Sequence, residues 1–335
     1  MSAVPRYLVT GGGGFVGSNI TEALLATGER VRVLDDFSTG RRSNLEGLDV
    51  ELVEGSITDR EVVAGAMRGI EVVFHEAALP SVPRSVERPR ETDRVNVAGT
   101  LEILEAAKGA GVRRVLFAGS SSAYGDTDVL PKREDLPTRP RSPYAVSKVA
   151  GELYLAAYAA LHGLETLSFR YFNVFGPRQD PNGAYAAVIP RWIAAALSGA
   201  PITIHGDGRQ TRDFCHVDNV VRGNLLAATT ARRLAGEVVN ISCGEQTSLL
   251  ELVDAIGLLA NGPGGRPLER VHGPPRAGDV RDSLADITKI RELLGYEPIV
   301  RFREGLSRTF EALAREQRRS GSSTSRATDT KGSAS

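Results

Sequence analysis

The chain has 335 residues, 41% hydrophobic and 24% charged, enough to bury the core of one large domain or two ordinary ones. Its 41 lysines and arginines balance 41 aspartates and glutamates, which excludes the global basic field of a nucleic-acid binder. Cys215, Cys243 and five scattered histidines offer no metal-ligand spacing and fit a reducing, cytoplasmic setting, and no apolar run reaches the roughly 18 residues of a membrane span.

The first predicted strand, Tyr7 to Thr10, runs straight into four glycines. Gly12, Gly14 and Gly17 satisfy G-x-G-x-x-G, and Gly11, Gly14 and Gly17 satisfy G-x-x-G-x-x-G. Either spacing puts backbone N–H groups and the start of a helix, Val16 to Ala26, where a pyrophosphate can approach without meeting a Cβ. The second strand, Val31 to Asp35, ends on a carboxylate 18 residues after Gly17. That is near the spacing of about 20 expected for an acid on the adenosine ribose. A carboxylate there favours NAD over NADP, because it repels a 2′-phosphate. Arg41 and Arg42 lie deeper in a polar loop and read as a solvated pair.

Further strands are predicted at Val50 to Val53, Val72 to Phe74, Arg114 to Gly119 and Thr166 to Arg170. Helices are predicted at Asp59 to Met67, Thr92 to Ala107 and Tyr144 to Leu161. The alternation predicts an α/β fold, a Rossmann-type doubly wound parallel sheet. Later the texture changes to Pro- and Gly-rich joins at Gly176 to Gly183, Gly262 to Pro267 and His272 to Asp279. The expected division is a dinucleotide-binding domain over 1–173, with 214–243 returning to it, and a smaller mixed α/β substrate domain over 174–318. Residues 319–335 are poor in hydrophobics and read as a disordered tail.

A second constellation, "SPYAVSK" from Ser142 to Lys148, places Tyr144 and Lys148 on one helix face. A free tyrosine has a pKa near 10 and is a poor base at neutral pH, but a lysine one turn away favours the phenolate. The serines of "GSSSAYGD", Gly119 to Asp126, leave the fifth strand where such sheets place their chemistry. Cys215-His216 lacks a base-and-orienter arrangement and reads as structural.

Together these motifs resemble the extended short-chain dehydrogenase/reductase family. Within it they are similar to the UDP-hexose 4-epimerases, closest to those acting on UDP-N-acetylglucosamine. The resemblance runs from Tyr7 to about Phe310, and the stretch "YFNVFGPRQDPNGAYAAVIP" is more specific than the glycine loop. It implies Ser120, Tyr144 and Lys148 as catalytic residues. For NAD it implies Phe15 and Val16 beside the glycines, Asp35 and Asp36 with Ser38, Thr39 and Gly40 at the ribose, and Ser56 and Ile57 near the adenine. Ala77, Ala78, Asn96 and Phe172 would complete the cofactor channel, Phe172 flanking the nicotinamide. Ser81, Ser121, Ser122, Asn173, Gln179, Ala187 and Val188 would face a UDP-sugar. Thr203, His205, Arg212, Arg276, Asp279 and Ser283 would complete that substrate face, the two arginines at the diphosphate or uridine. Ser56 departs from the family's usual aspartate, and Pro80 from its usual glycine or lysine.

The implied reaction is inversion at sugar carbon 4. Related dehydratases and decarboxylases carry carboxylates after the strand-end hydroxyl, where this chain has Ser121 and Ser122. The small Ser283, with Gln179, Ala187 and Ser121, points to N-acetylated sugars, so UDP-N-acetylglucosamine is the first expected substrate and UDP-glucose the second. A UDP-glucuronate epimerase is a further alternative, with Arg84 as the candidate cation, and a non-catalytic dinucleotide sensor is a distant one. The resemblance also implies a homodimer through the helices Thr100 to Ala107 and Ala145 to Leu161.

Overall fold

The computed structural model describes residues 6–183, 186–274 and 280–329. The first half alternates β1 (Tyr7–Thr10), α1 (Phe15–Ala26), β2 (Val31–Asp35), β3 (Glu51–Glu54), α2 (Arg60–Ala66) and β4 (Val72–His75). Then come α3 (Val82–Glu87), α4 (Pro89–Asp93), a π-helical turn (Arg94–Ala98), α5 (Gly99–Ala110), β5 (Arg114–Ser120), α6 (Pro143–His162) and β6 (Glu165–Tyr171). The second half holds β7 (Val174–Phe175), α7 (Val188–Ser198), β8 (Ile202–His205), β9 (Thr211–Arg212), β10 (Cys215–His216) and α8 (Val217–Thr229). It ends with β11 (Glu237–Ile241), β12 (Thr247–Ser248), α9 (Leu249–Asn261), β13 (Arg270–Gly273), α10 (Thr288–Leu294) and α11 (Phe302–Asp329).

Seven strands form one parallel sheet in the order β11-β6-β5-β4-β1-β2-β3. The chain winds outward from β1 in both directions, so β1 and β4 flank the point where the order reverses and a crevice opens above the strand ends. Strands buried on both faces read as continuous apolar runs, as "YLVT" and "VRVLD" do. One core cluster lies under α1 and α8, around Val9, Ile20, Val33 and Phe74; the other lies under α2, α5 and α6, around Leu8, Val73, Ile103 and Phe117. A third, around Trp192, Ile193, Ile202 and Leu252, belongs to the second half of the chain.

Predicted and observed elements differ mostly at their ends. The helix expected from Thr92 to Ala107 is three pieces, α4, the π-helical turn and α5. α11 continues through Asp329, into the stretch whose composition predicts a disordered tail. Extending an existing helix adds a hydrogen bond for each residue fixed, and no proline interrupts the run. Among the described residues no helix is long and apolar enough to cross a membrane.

Candidate active site

A cavity of about 430 Å³ lies across the carboxyl ends of the sheet. Six strands reach it in order, through Gly11 after β1, Asp35 of β2, Gly55 after β3, Glu76 after β4, Ser120 of β5 and Tyr171 of β6.

At one end the glycine loop is tightly packed. Gly11 takes φ +70, and a Cβ there would stand 2.7 Å from the Ala77 backbone nitrogen. A Cβ on Gly17 would stand 2.3 Å from the Gly11 carbonyl oxygen. These contacts press the loop against the neighbouring turn and bring α1 close to the strand end. α1 begins at Gly14 with no side-chain cap, so its first-turn N–H groups are left for another acceptor. The Asp35 carboxylate accepts from Gly13 N at 2.8 Å and Phe37 N at 2.7 Å, which fixes it on the cavity wall. Burial raises its pKa, and those two donors oppose the rise. Arg42 pairs with Glu54, and Arg41 pairs with Asp180 at 2.8 Å and Glu316 at 3.4 Å.

At the other end the wall is built by the start of α6. Ser142 caps it by accepting from Ala145 N at 3.1 Å, and Pro143 fits its first turn. The capped start orients Tyr144 in the first turn and Lys148 one turn later, both on the cavity wall. Ser120, at the end of β5, accepts from Ser122 N at 3.2 Å and from the Ser122 hydroxyl at 2.8 Å. Its own O–H is thereby left free to turn toward the Tyr144 phenol, whose proton affinity it lowers. Burial raises the Tyr144 pKa, Ser120 lowers it and the Glu76 charge raises it. Lys148 donates to the Ala118 carbonyl at 2.8 Å, and burial pushes its pKa down to about 8. The site therefore holds a shielded phenol, a hydroxyl beside it and a lysine that holds its proton less firmly than a free one.

A model of the NAD-dependent epimerase/dehydratase family matches residues 7–242. The chain belongs to that family. It is 43% identical over 313 residues to a UDP-glucose 4-epimerase of Mycolicibacterium smegmatis, covering 91% of this chain and 97% of that one. Its structure superposes with TM-score 0.87 on a UDP-glucose 4-epimerase of Thermotoga maritima solved with UDP-glucose, at 38% identity, covering 93% of this chain and 99% of the other. The TM-score is also 0.87 with a UDP-N-acetylglucosamine 4-epimerase of Methanobrevibacter ruminantium in complex with UDP-N-acetylmuramic acid, at 33% identity and the same coverage.

NAD, the cofactor of this NAD-dependent family, fits the cavity of this member. The cradle of Gly11, Gly14 and Gly17 is open where side chains would close it, and Phe15 and Val16 continue the wall. Asp35, Asp36, Ser38, Thr39 and Gly40 line the cavity beside the glycine cradle, as do Ile57, Ala77 and Ala78. A buried relay fixes the turn at Ala77. Thr100 donates to the Asn96 carbonyl at 2.6 Å, His75 joins Thr100 at 2.9 Å and Thr10 at 2.8 Å, and Thr10 accepts from Ala77 N at 3.3 Å. Burial drives the His75 pKa down to about 3, so the ring is neutral. The relay then assigns its proton to Nε2.

Three expected cofactor contacts do not line the cavity. Phe172, just past the end of β6, is buried against Tyr124, while its neighbours Tyr171 and Asn173 line the cavity. Asn96 spends its amide on the Leu79 backbone and Ser147, bracing the turn from behind. Ser56 bonds Thr58 at 3.0 Å, and the flanking Gly55 and Ile57 face the cavity.

Among the expected substrate residues, Asn173 and Gln179 reach the cavity, and the Gln179 Oε1 is buried without a partner. Ser121 and Ser122 form the turn behind Ser120, and Ser81 caps α3 by accepting from Arg84 N at 3.1 Å. Ala187 and Val188 begin α7, Thr203 and His205 lie on β8, and Arg212 donates to the carbonyls of Thr211 and Arg281. Ser283 is buried beside Thr211, to whose carbonyl its N–H donates at 3.2 Å. None of these nine lines the cavity. Arg276 and Asp279 lie outside the described residues. The sequence motifs assign no role to Glu76, Tyr171, Arg178 or Asp180, all of which line the cavity, nor to Asp213. Asp213 is fully buried and gathers Ser242, Cys243 N, Gly244 N and Ala285 N around one carboxylate, tying three segments of the second half together.

Proposed function

We propose that the protein interconverts UDP-sugars epimeric at carbon 4, with NAD as resident cofactor. The observation that carries this reading is the meeting of Ser120, Tyr144 and Lys148 in the same cavity as the glycine cradle and Asp35. Tyr144 takes the proton of the sugar 4-hydroxyl and later returns it. Ser120 lowers the proton affinity of the phenol. Lys148, held by Ala118, places a cation beside both reacting groups. NAD, when bound, supplies the hydride acceptor and donor that this chain lacks. Ser121 and Ser122 are hydroxyls, which supports epimerisation over dehydration or decarboxylation.

The similar proteins support UDP-glucose and UDP-galactose as the first sugar pair. The small Ser283 and the unpartnered amide oxygen of Gln179 favour the N-acetylated pair as a second reading. Arg84 is paired with Glu91 at 2.9 Å, which weighs against its receiving a uronate carboxylate. We also read α5 and α6 as the face of a homodimer, supported by Leu153 and Leu161 of α6, which are 66% and 77% exposed.

Purified protein supplied with each UDP-sugar and no added NAD should yield the carbon-4 epimer with isotope at carbon 4 retained. Loss of that label to water would overturn the reading. The ratio of kcat/KM for the plain and N-acetylated sugars decides their order. A Ser283→Tyr variant should lose the N-acetylated sugar first.

A further inference from the structure

Glu76 follows β4 directly and stands on the cavity wall. Its Oε1 accepts from the Tyr171 hydroxyl at 2.8 Å, and that hydroxyl accepts from Asn224 Nδ2 at 2.9 Å. Residues from β6 and α8 thus fix the carboxyl of a third element. A tyrosine hydroxyl has one proton, so accepting from Asn224 leaves that proton directed at Glu76. The carboxyl shares the cavity wall with Tyr144 and Lys148 of α6. Its charge raises the proton affinity of Tyr144 and also that of Lys148. The remaining ionisable groups nearby are committed. His75 is neutral between Thr10 and Thr100, and Glu152, which also faces Lys148, is paired with Arg170 at 2.8 Å. Burial raises the pKa of Glu76 itself to about 7, with the Tyr171 bond and the Lys148 charge opposing the rise.

We propose that Glu76 is a positioning residue for proton transfer: its carboxyl, held by Tyr171 on the wall it shares with Tyr144 and Lys148, acts on both groups through its charge. The proposal rests on Tyr144 as the proton carrier. An ionised Glu76 opposes the phenolate and favours the ammonium. A neutral Glu76 relieves both effects. No bond is made or broken at the carboxyl; it acts by its field alone.

The test is an ultraviolet titration of the full-length protein. The phenolate absorbance of each variant minus that of the same variant carrying Tyr144→Phe isolates the Tyr144 titration. Glu76→Gln keeps the shape and an acceptor for Tyr171 but removes the charge. It should lower the Tyr144 midpoint by about one unit. Both limbs of the kcat–pH profile should move to lower pH with it, and Glu76→Asp should restore the original midpoint. An unchanged or raised midpoint in Glu76→Gln overturns the proposal and leaves Glu76 a packing residue. Should that variant not fold, Glu76→Leu combined with Tyr171→Phe removes carboxyl and donor together and is read by the same criterion. The two readings fail separately: full turnover by Tyr144→Phe would defeat the proposed reaction while leaving the titration result standing.

Discussion

The Lys148 ammonium donates to the Ala118 carbonyl at 2.8 Å and lies 5.9 Å from the centre of the Tyr144 ring. Lysine and tyrosine therefore share a wall without forming a closed pair, and the buried phenol holds its proton more firmly than a free one does. The immediate counterweight is Ser120, which lowers the proton affinity of the phenol. Tyr144→Phe should lower kcat by roughly 10²–10⁴-fold, the usual yield of a positioned acid–base group. NAD released on denaturation should stay at the parental amount. Turnover within a few-fold of the parent would remove Tyr144 from the mechanism.

Lys148 also carries a cost in stability. Its pKa falls from 10.5 in the open chain to about 8 in the fold, because burial disfavours the ammonium. Between those values the unfolded chain binds the extra proton, so stability rises with pH across that window. Below pH 8 the penalty is present in full, and above 10.5 it is gone. Lys148→Met should therefore stabilise the protein at pH 7 by on the order of 1–3 kcal/mol while abolishing turnover, the lost bond to Ala118 offsetting part of the gain. Denaturant melts at pH 7 and pH 10 check the sign. The advantage of the methionine variant must shrink at the higher pH.

The sheet and much of the cofactor end were legible in the sequence, because they depend on local pattern. Apolar runs, a glycine turn and an acid at the end of β2 are each confined to a few consecutive residues. Tyr144 and Lys148 were legible for the same reason, as a one-turn spacing on a capped helix. Glu76 carried no such signal. Its role comes from Tyr171, 95 residues away, and from Asn224 beyond it. Phe172 shows the converse: a position matched by motif packs against Tyr124, a contact 48 residues back in the chain that no local pattern announces. Asp213 is illegible for a third reason, since its partners Ser242 and Ala285 lie 29 and 72 residues further along the chain.

Gly14 and Gly17 separate cofactor binding from folding. A methyl on Gly17 would meet the Gly11 carbonyl oxygen at 2.3 Å and the Gly11 carbonyl carbon at 2.9 Å, both backbone atoms with nowhere to move. A methyl on Gly14 would meet only the Gly11 oxygen, at 3.0 Å, which a shift of a few tenths of an ångström relieves. Gly17→Ala should lower the melting temperature by several degrees and lose NAD with it. Gly14→Ala should melt near the parent yet retain less NAD, since its methyl stands on the cavity wall. Equal melting temperatures for the two variants would contradict the steric argument.

Beneath the site, Glu152 and Arg170 form a two-bond pair at 3.0 and 2.8 Å, both nearly excluded from water. Arg170 also lies 4.5 Å over the ring of Tyr124, and Glu152 sits one helical turn beyond Lys148, whose ammonium it favours. Losing one partner strands a buried charge, so Arg170→Met should cost about 3–5 kcal/mol. Replacing both, as Glu152→Leu with Arg170→Met, should recover most of that loss, because apolar side chains need no counterion there. The double variant would still lack the carboxylate that supports the Lys148 proton. Its kcat–pH profile should therefore fall away at lower pH on the alkaline side even where its stability is restored. A double-mutant cycle in urea, read beside that profile, separates the two contributions. Additive losses in the cycle would mean that the pair is not coupled.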